Sequence, residues 1–232
     1  MIERVINILA DSHWRDMLLG GMWITIQISV GAIILGLLIG MVIAAFNMVD
    51  FGFNIKGRRI KPLKAIAFIY LAVIRGTPAV TQLLIVSHTI FAAVRGVSIW
   101  IGIVALGINS GAYVAEIIRA GIMSVDKGQM EAALSLGFNK KQSMTFIVMP
   151  QAVKNILPTL INEFIVLIKE TAIVGFVGIQ DLARVGWLII ARTFDVTTLF
   201  IVAAMYLILI SVLTLLLSFV EKAMRKSDRR SV

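Results

Sequence analysis

Long apolar stretches alternate with short polar ones along this chain, and their lengths decide its class. Runs over roughly 21–46, 65–92, 98–120, 153–175 and 197–220 are comparable to, or longer than, the about 20 residues an α-helix needs to cross a bilayer. The sequence lacks the short alternating segments of a barrel. The pattern therefore predicts an all-α polytopic membrane protein with five transmembrane helices. In the first run Gly36 and Gly40 stand at the spacing that lets a second helix come close. The second is interrupted by Arg75-Gly76-Thr77-Pro78, where a missing backbone donor and a flexible glycine predict a kink or an unwound turn. Residues 176–196 are expected to lie outside or to re-enter, because Gly175, Gly178 and Gly186 argue against a plain continuous helix.

The most distinctive break in the apolar pattern is the polar island at 121–152, and within it 131–150, EAALSLGFNKKQSMTFIVMP. It is too amphipathic to cross a bilayer and too regular to be an unstructured loop. Asp126 with Gln129 can cap a first short helix that ends before Gly137. Asn139 with Gln142 repeats the arrangement for a second, expected to stop near Pro150. Gly137 supplies the left-handed turn between them, which a residue without Cβ adopts most easily. The product is a helical elbow at the membrane face.

Composition sharpens this reading. Of 232 residues 59% are hydrophobic and 15% charged, against about 45–50% and about 25% in soluble domains. The net charge of +9 would suggest nucleic acid in a soluble protein. Here the basic residues cluster beside apolar runs, at Lys56, Arg58, Arg59, Lys61 and Lys64 and again at Lys222, Arg225, Lys226, Arg229 and Arg230. That is a positive-inside pattern against a lipid membrane, not a groove for nucleic acid. Placing both clusters and the elbow in the cytoplasm puts the N-terminus outside. Residues 1–20 then form an extracytoplasmic segment, 21–220 the transmembrane domain and 221–232 a basic cytoplasmic tail. Residues 1–20 lack a basic start and a small-residue cleavage site, so no signal cleavage is expected. The chain has no cysteine, and its two histidines, His13 and His88, have no ligand-spaced partners, so no metal site is expected.

Ionisable groups inside apolar spans are costly and mark functional positions. Asn109, Tyr113 and Glu116 share one helix face; Thr159, Glu163, Val166 and Glu170 form another, with Asn162 and Lys169 beside it. A translocation pathway for a zwitterionic solute would use such stripes. The blander reading has Lys169 beside Glu170, or Glu116 with Arg119, neutralising each other or pinning helices together. Arg75 can snorkel, pair with an acid or face the pathway, while Thr77 and Gln82 can simply bond to helix carbonyls.

The island's Glu131-Ala132-Ala133, Gly137, Ile147, Met149 and Pro150 resemble the EAA motif of permease subunits of ABC importers. Met149 departs from the leucine usual there, a swap that conserves volume. Arg75-Gly76-Thr77-Pro78, GAYVAEIIRAGI at 111–122, Asn155-Ile156-Leu157-Pro158 and NEFIVLIKE at 162–170 look like the polar amino acid uptake branch of that family. The resemblance implies the type I importer permease fold in a bacterial inner membrane, paired with itself or a homologous permease. It implies coupling through Glu131, Ala132, Ala133 and Gly137 to a separate ATPase that holds ATP and Mg, and cargo delivered by an extracytoplasmic solute-binding protein. Substrate-pathway candidates are Arg75, Thr77, Glu116, Asn162, Glu163 and Glu170. No GxxxxGK[ST] loop occurs, so no cofactor and no ATPase or other catalytic residue is assigned to this chain. A proton-coupled secondary carrier could use the same carboxylates as a relay, but the absence of a strong internal repeat weakens it. An intramembrane protease lacks HExxH, GxGD and a GxS nucleophile with a placed histidine. Neither alternative needs a cytoplasmic docking elbow.

Overall fold

A computed structural model of the chain describes residues 2–49, 51–55, 58–93, 96 and 98–228. Lys56 of the first basic cluster and Arg229 and Arg230 of the second lie outside the described residues, as do the side chains of Arg58, Arg225 and Lys226. The elements in order are α1 (Ile2–Ala10), α2 (Ser12–Met48), β1 (Phe53–Ile55), β2 (Arg58–Ile60), α3 (Pro62–Gly76), α4 (Ala79–Thr89), α5 (Ile99–Met123), α6 (Lys127–Ser135) and α7 (Lys140–Ser143). A π-helical turn, Met144–Val148, leads into α8 (Met149–Glu170). A 3₁₀ segment, Thr171–Val177, then precedes α9 (Leu182–Thr193) and α10 (Thr198–Asp228).

The five apolar runs appear as helices, with bounds that differ in instructive ways. α2 starts at Ser12, where Asp11 accepts from the His13 amide at 2.8 Å, so residues expected to precede the span belong to one helix of 37 residues. The second run is broken as the sequence predicts: α3 ends at Gly76, α4 begins at Ala79, and their axes differ by 108°. Among the described residues three helices are individually long and apolar enough to cross a bilayer, and the bent pair makes a fourth candidate. α8 is about 33 Å long at 22 residues. It is not one of those three helices, and it carries Lys154, Glu163, Lys169 and Glu170.

Two glycines explain the close packing of α2 on α5. A Cβ on Gly36 would stand 3.0 Å from Ser110 Cβ, and one on Gly40 would stand 2.5 Å from Val114 Cγ1, so α2 and α5 touch backbone to backbone. The partners advance together, and α2 and α5 therefore run in the same direction. α8 runs the opposite way, since Gly102 of α5 faces Val174 just past its end and Gly121 faces Ile156 near its start. The main core, around Ile28, Ala32, Leu83, Leu106, Leu167 and Val174, lies where α2, α4, α5 and the end of α8 converge.

Residues 176–196 hold an element the glycines disguised. Gly178 does take a left-handed φ of 83° and stops the 3₁₀ segment, but Gly186 lies inside α9, where a Cβ would stand 2.7 Å from Val202 Cγ2. There it serves close packing, not chain breaking. Buried Asp181 caps α9 through the Ala183 and Arg184 amides at 3.2 and 3.0 Å, and the Tyr206 hydroxyl of α10 donates to it at 3.3 Å. Where α9 meets α10, hydrogen bonds from Thr197 hold half-buried Asp195 below the usual carboxylate range, and Arg4 of α1 stands 4.0 Å away.

Candidate functional site

The elbow forms at the end of α5. Asp126 caps α6 by accepting from the Gly128 amide at 2.6 Å. Gln129, expected to complete that cap, instead accepts from Gln151 Nε2 at 3.2 Å and ties α6 to the start of α8. Gly137 turns the chain with φ at 89°. The second cap is a full capping box: Asn139 Oδ1 accepts from the Gln142 amide and Gln142 Oε1 from the Asn139 amide, each at 2.9 Å. Pro150 does not end this helix. It occupies the first turn of α8, and the preceding π turn takes up the register change that an interior proline demands. Helical structure therefore runs without a break from Lys140 to Glu170. Glu131, Ala132 and Gly137 are exposed and Ala133 is buried. Leu136, 79% exposed, stands beside Phe138 on the outside of the turn.

A cleft of about 960 Å³ opens between α5 and α8, with Glu221 of α10 at its rim. It gathers Tyr113, Glu116, Thr159, Asn162 and Glu163, so the two polar faces read from the sequence meet in one space. Glu163 is 9% exposed and accepts from the Ser110 hydroxyl of α5 at 2.8 Å. Glu116 accepts from Arg119 Nη2 at 2.8 Å and Nε at 3.3 Å, and Arg75 Nη1 stands 3.8 Å from the same carboxylate. The Arg75 guanidinium also lies 5.9 Å from the Tyr113 ring centroid. The expected Glu116–Arg119 neutralisation is thus present, and Arg75 joins it from the end of α3.

Thr77 does not reach the cleft lining. Its hydroxyl donates to the Val73 carbonyl at 2.8 Å and accepts from Gln82 Nε2 at 2.9 Å, which closes the inside of the bend. Gln82 also donates to the Ile74 carbonyl at 2.7 Å and accepts from Asn109 Nδ2 at 2.9 Å, clamping the bend to α5. Glu170 lies at the far end of α8, outside the cleft lining. Sequence reasoning missed Ser110, Ser124 and Lys154. Ser124 accepts from Asn155 Nδ2 at 2.8 Å and holds the elbow end of α5 to α8, while Lys154 lines the cleft on its elbow side. Only partner geometry distinguishes these serines from other helix serines.

The cleft lining offers the carboxylates of Glu116, Glu163 and Glu221, the amides of Asn155 and Asn162 and the ammonium of Lys154. The family described as binding-protein-dependent transport system inner membrane component matches residues 14–226. The chain is 39% identical to the arginine transport system permease protein ArtQ of Bacillus subtilis, over 91% of this chain and 94% of that one. It is 34% identical to the glutamine transport system permease protein GlnP of Escherichia coli, over 90% and 93%. A crystal structure of an amino acid ABC transporter with histidines aligns at a TM-score of 0.83 and 39% identity, covering 93% of this chain and 98% of that one. The inward-facing MetNI methionine ABC transporter, at 17% identity and a TM-score of 0.77, shares the fold. This chain belongs to the family of inner membrane components of binding-protein-dependent transport systems.

Proposed function

We propose that this chain is the permease subunit of an ATP-driven importer of polar amino acids and forms its translocation pathway with a second permease copy or a homologous chain. A separate ABC ATPase, carrying ATP and Mg, grips the elbow through Glu131, Ala132, Ala133 and Gly137. A solute-binding protein delivers cargo at the opposite face. The observation that carries the reading is the unbroken helical path from Lys140, at the elbow, to Glu163, in the cleft. Moving the elbow must move the wall that holds Asn162 and Glu163, because a packed helix transmits displacement along its length. ATP binding would draw two ATPases together and turn these helices from an inward-open to an outward-open arrangement. Asn162, Glu163 and Glu116 would then meet the cargo's ammonium in the cleft, Arg75 would face its carboxylate, and Glu170 would meet the cargo further along α8, beyond the cleft. The named cargoes of the relatives, arginine and glutamine, are amino acids, which supports that class of solute.

Five crossings with the N-terminus outside fit the helix directions once the elbow is placed in the cytoplasm. α2 and α5 run the same way, so the bent α3–α4 pair must return the chain between them. Glu221, in the last third of α10, lines the cleft together with Lys154. The test is recovery of the complex: the detergent-solubilised chain should co-purify an ABC ATPase from its native membrane. A chain that purifies alone, with its elbow fully open to protease both in the membrane and in detergent, would contradict the reading.

A further inference from the structure

The elbow's Glu131–Ala133 and the cleft's Asn162 and Glu163 belong to different helices, α6 and α8. Two routes join those helices. The long one follows the chain through Gly137 and α7. Its turn is closed by short-range bonds, from the Gly137 amide to the Leu134 carbonyl at 3.0 Å and from the Phe138 amide to the Ala133 carbonyl at 3.1 Å. Nothing lies within 4 Å of where a Gly137 Cβ would stand, so no neighbouring element braces the turn at that point. The short route is a single side chain that crosses 22 residues of sequence. Gln151 Nε2 of α8 donates to Gln129 Oε1 of α6 at 3.2 Å and to the Ile147 carbonyl at 2.9 Å.

The π turn is what brings that side chain to α6. Ser143 and Val148 are both buried although five residues apart, a step that would separate them by about 140° on an α-helix. In the turn Met144–Val148 the Met149 amide donates to the Met144 carbonyl, and the fifth residue comes round to the same side. Val148, Ala152 and Ile156 then continue the buried face at α-helical spacing. Gln151, one residue before Ala152, projects from the flank of that face, and α6 packs against the π turn. The Ile147 carbonyl can only accept, so it obliges the Gln151 amide to turn its nitrogen that way. The same nitrogen then needs an acceptor on α6, which Gln129 supplies.

We propose that Gln151 is a positioning residue for coupling: displacement of α6 enters the cargo wall through the Gln129–Gln151 bond, in the first turn of α8. The Gly137 turn holds the elbow's shape for docking, and the side-chain bond passes its movement on. This inference rests on the permease reading above. Gln151 and Glu163 share one helix, with Gln151 about 18 Å nearer the elbow, so a push received at Gln151 is carried to the cleft within α8. A bond between side chains can be broken while both helices stay folded. Docking and coupling are therefore separable at this residue.

The test uses the full chain with its ATPase and a solute-binding protein in proteoliposomes, and reads labelled amino acid moved per ATP hydrolysed. Gln151→Glu keeps the side chain's length but, once ionised, offers no donor to either acceptor. It should lower the amino acid moved per ATP several-fold, with pull-down of the ATPase and the melting temperature of the complex as in the parent. Adding Gln129→Lys rebuilds a donor–acceptor pair between α6 and α8 with the roles exchanged, which isolates that link from the bond to Ile147. The double variant should recover at least half of the parent ratio. A parent-like ratio in Gln151→Glu alone would overturn the proposal. A lowered melting temperature and lowered ATPase recovery with no rescue by Gln129→Lys would also overturn it, by making Gln151 a residue of folding only. A parent complex that moves no amino acid with ATP would instead overturn the permease reading itself, and the link with it.

Discussion

The Ser110 hydroxyl donates to Glu163 at 2.8 Å, joining α5 to α8 across 53 residues of sequence. Ser110 is itself held against α2, where Gly36 leaves it room. Three helices thus fix one oxygen of the carboxylate that borders the cleft. The carboxylate, and any charge it carries, is thereby held in one orientation at the cleft wall.

Glu163→Gln keeps the shape and the hydrogen-bonding end but removes that charge. Hydrogen bonds to charged groups are worth about 1.5–3 kcal/mol, so contact with a cargo ammonium predicts a loss of apparent uptake affinity of roughly tenfold or more. Assembly with the ATPase and basal hydrolysis should survive. Uptake by Glu163→Gln and by Glu170→Gln, measured separately with labelled amino acids, decides the matter. Unchanged affinity and selectivity in both would make the acidic face scaffolding.

Gln82 is the clamp of the broken span. Gln82→Leu would strand the buried Asn109 amide and open the bonds to Ile74 and Thr77, at a cost of about 1–3 kcal/mol for the unsatisfied groups. The melting temperature of the detergent-solubilised complex should fall. Thr77→Val, which removes a hydroxyl bonded only within the bend, should cost less. Equal melting temperatures for Gln82→Leu and the parent chain would contradict the clamp.

Gly137→Val would force a β-branched residue to the left-handed φ of 89°. No neighbour lies within 4 Å of a Cβ there, so the cost is backbone strain of about 1–3 kcal/mol and not a clash. ATPase association and transport should drop while membrane insertion is normal. Gly137→Asn, whose side chain tolerates the left-handed region better, should recover much of the association. Pull-down of the ATPase by the three chains checks this; equal recovery by Val and Gly would remove the turn from the docking account.

Cysteines introduced singly at Ser12 and Ser135, both exposed, report orientation in this cysteine-free chain. An impermeant thiol reagent applied to intact cells or right-side-out vesicles should label Ser12→Cys and spare Ser135→Cys. Labelling of Ser135→Cys from outside would place the elbow on the wrong face.

What the sequence revealed was mostly local. Asp126, Gly137 and the Asn139–Gln142 pair act within a few residues, so their caps and turn were readable and stand in the structure. The break at Arg75–Pro78 was readable for the same reason, although its 108° angle depends on Gln82 and Asn109. Pro150 misled because a π turn upstream absorbs it, and Gly186 misled because close packing on Val202 uses the same residue as a chain break. Helical spacing placed Glu116 and Glu163 on polar faces but could not say that α5 and α8 oppose each other. Ser110 looked like any other helix serine until its partner was known. The N-terminal α1 and the β1–β2 hairpin escaped notice because each is short and lies within stretches read as polar.

The central claim is that nucleotide outside this chain drives solute through it, and uptake into proteoliposomes tests it most directly. The purified chain with its ATPase and a solute-binding protein should move labelled polar amino acids only when ATP is present on the elbow side, and a proton ionophore should not abolish uptake. Uptake by the chain without the ATPase, driven by a proton gradient and collapsed by the ionophore, would contradict the account and make the same carboxylates a proton relay.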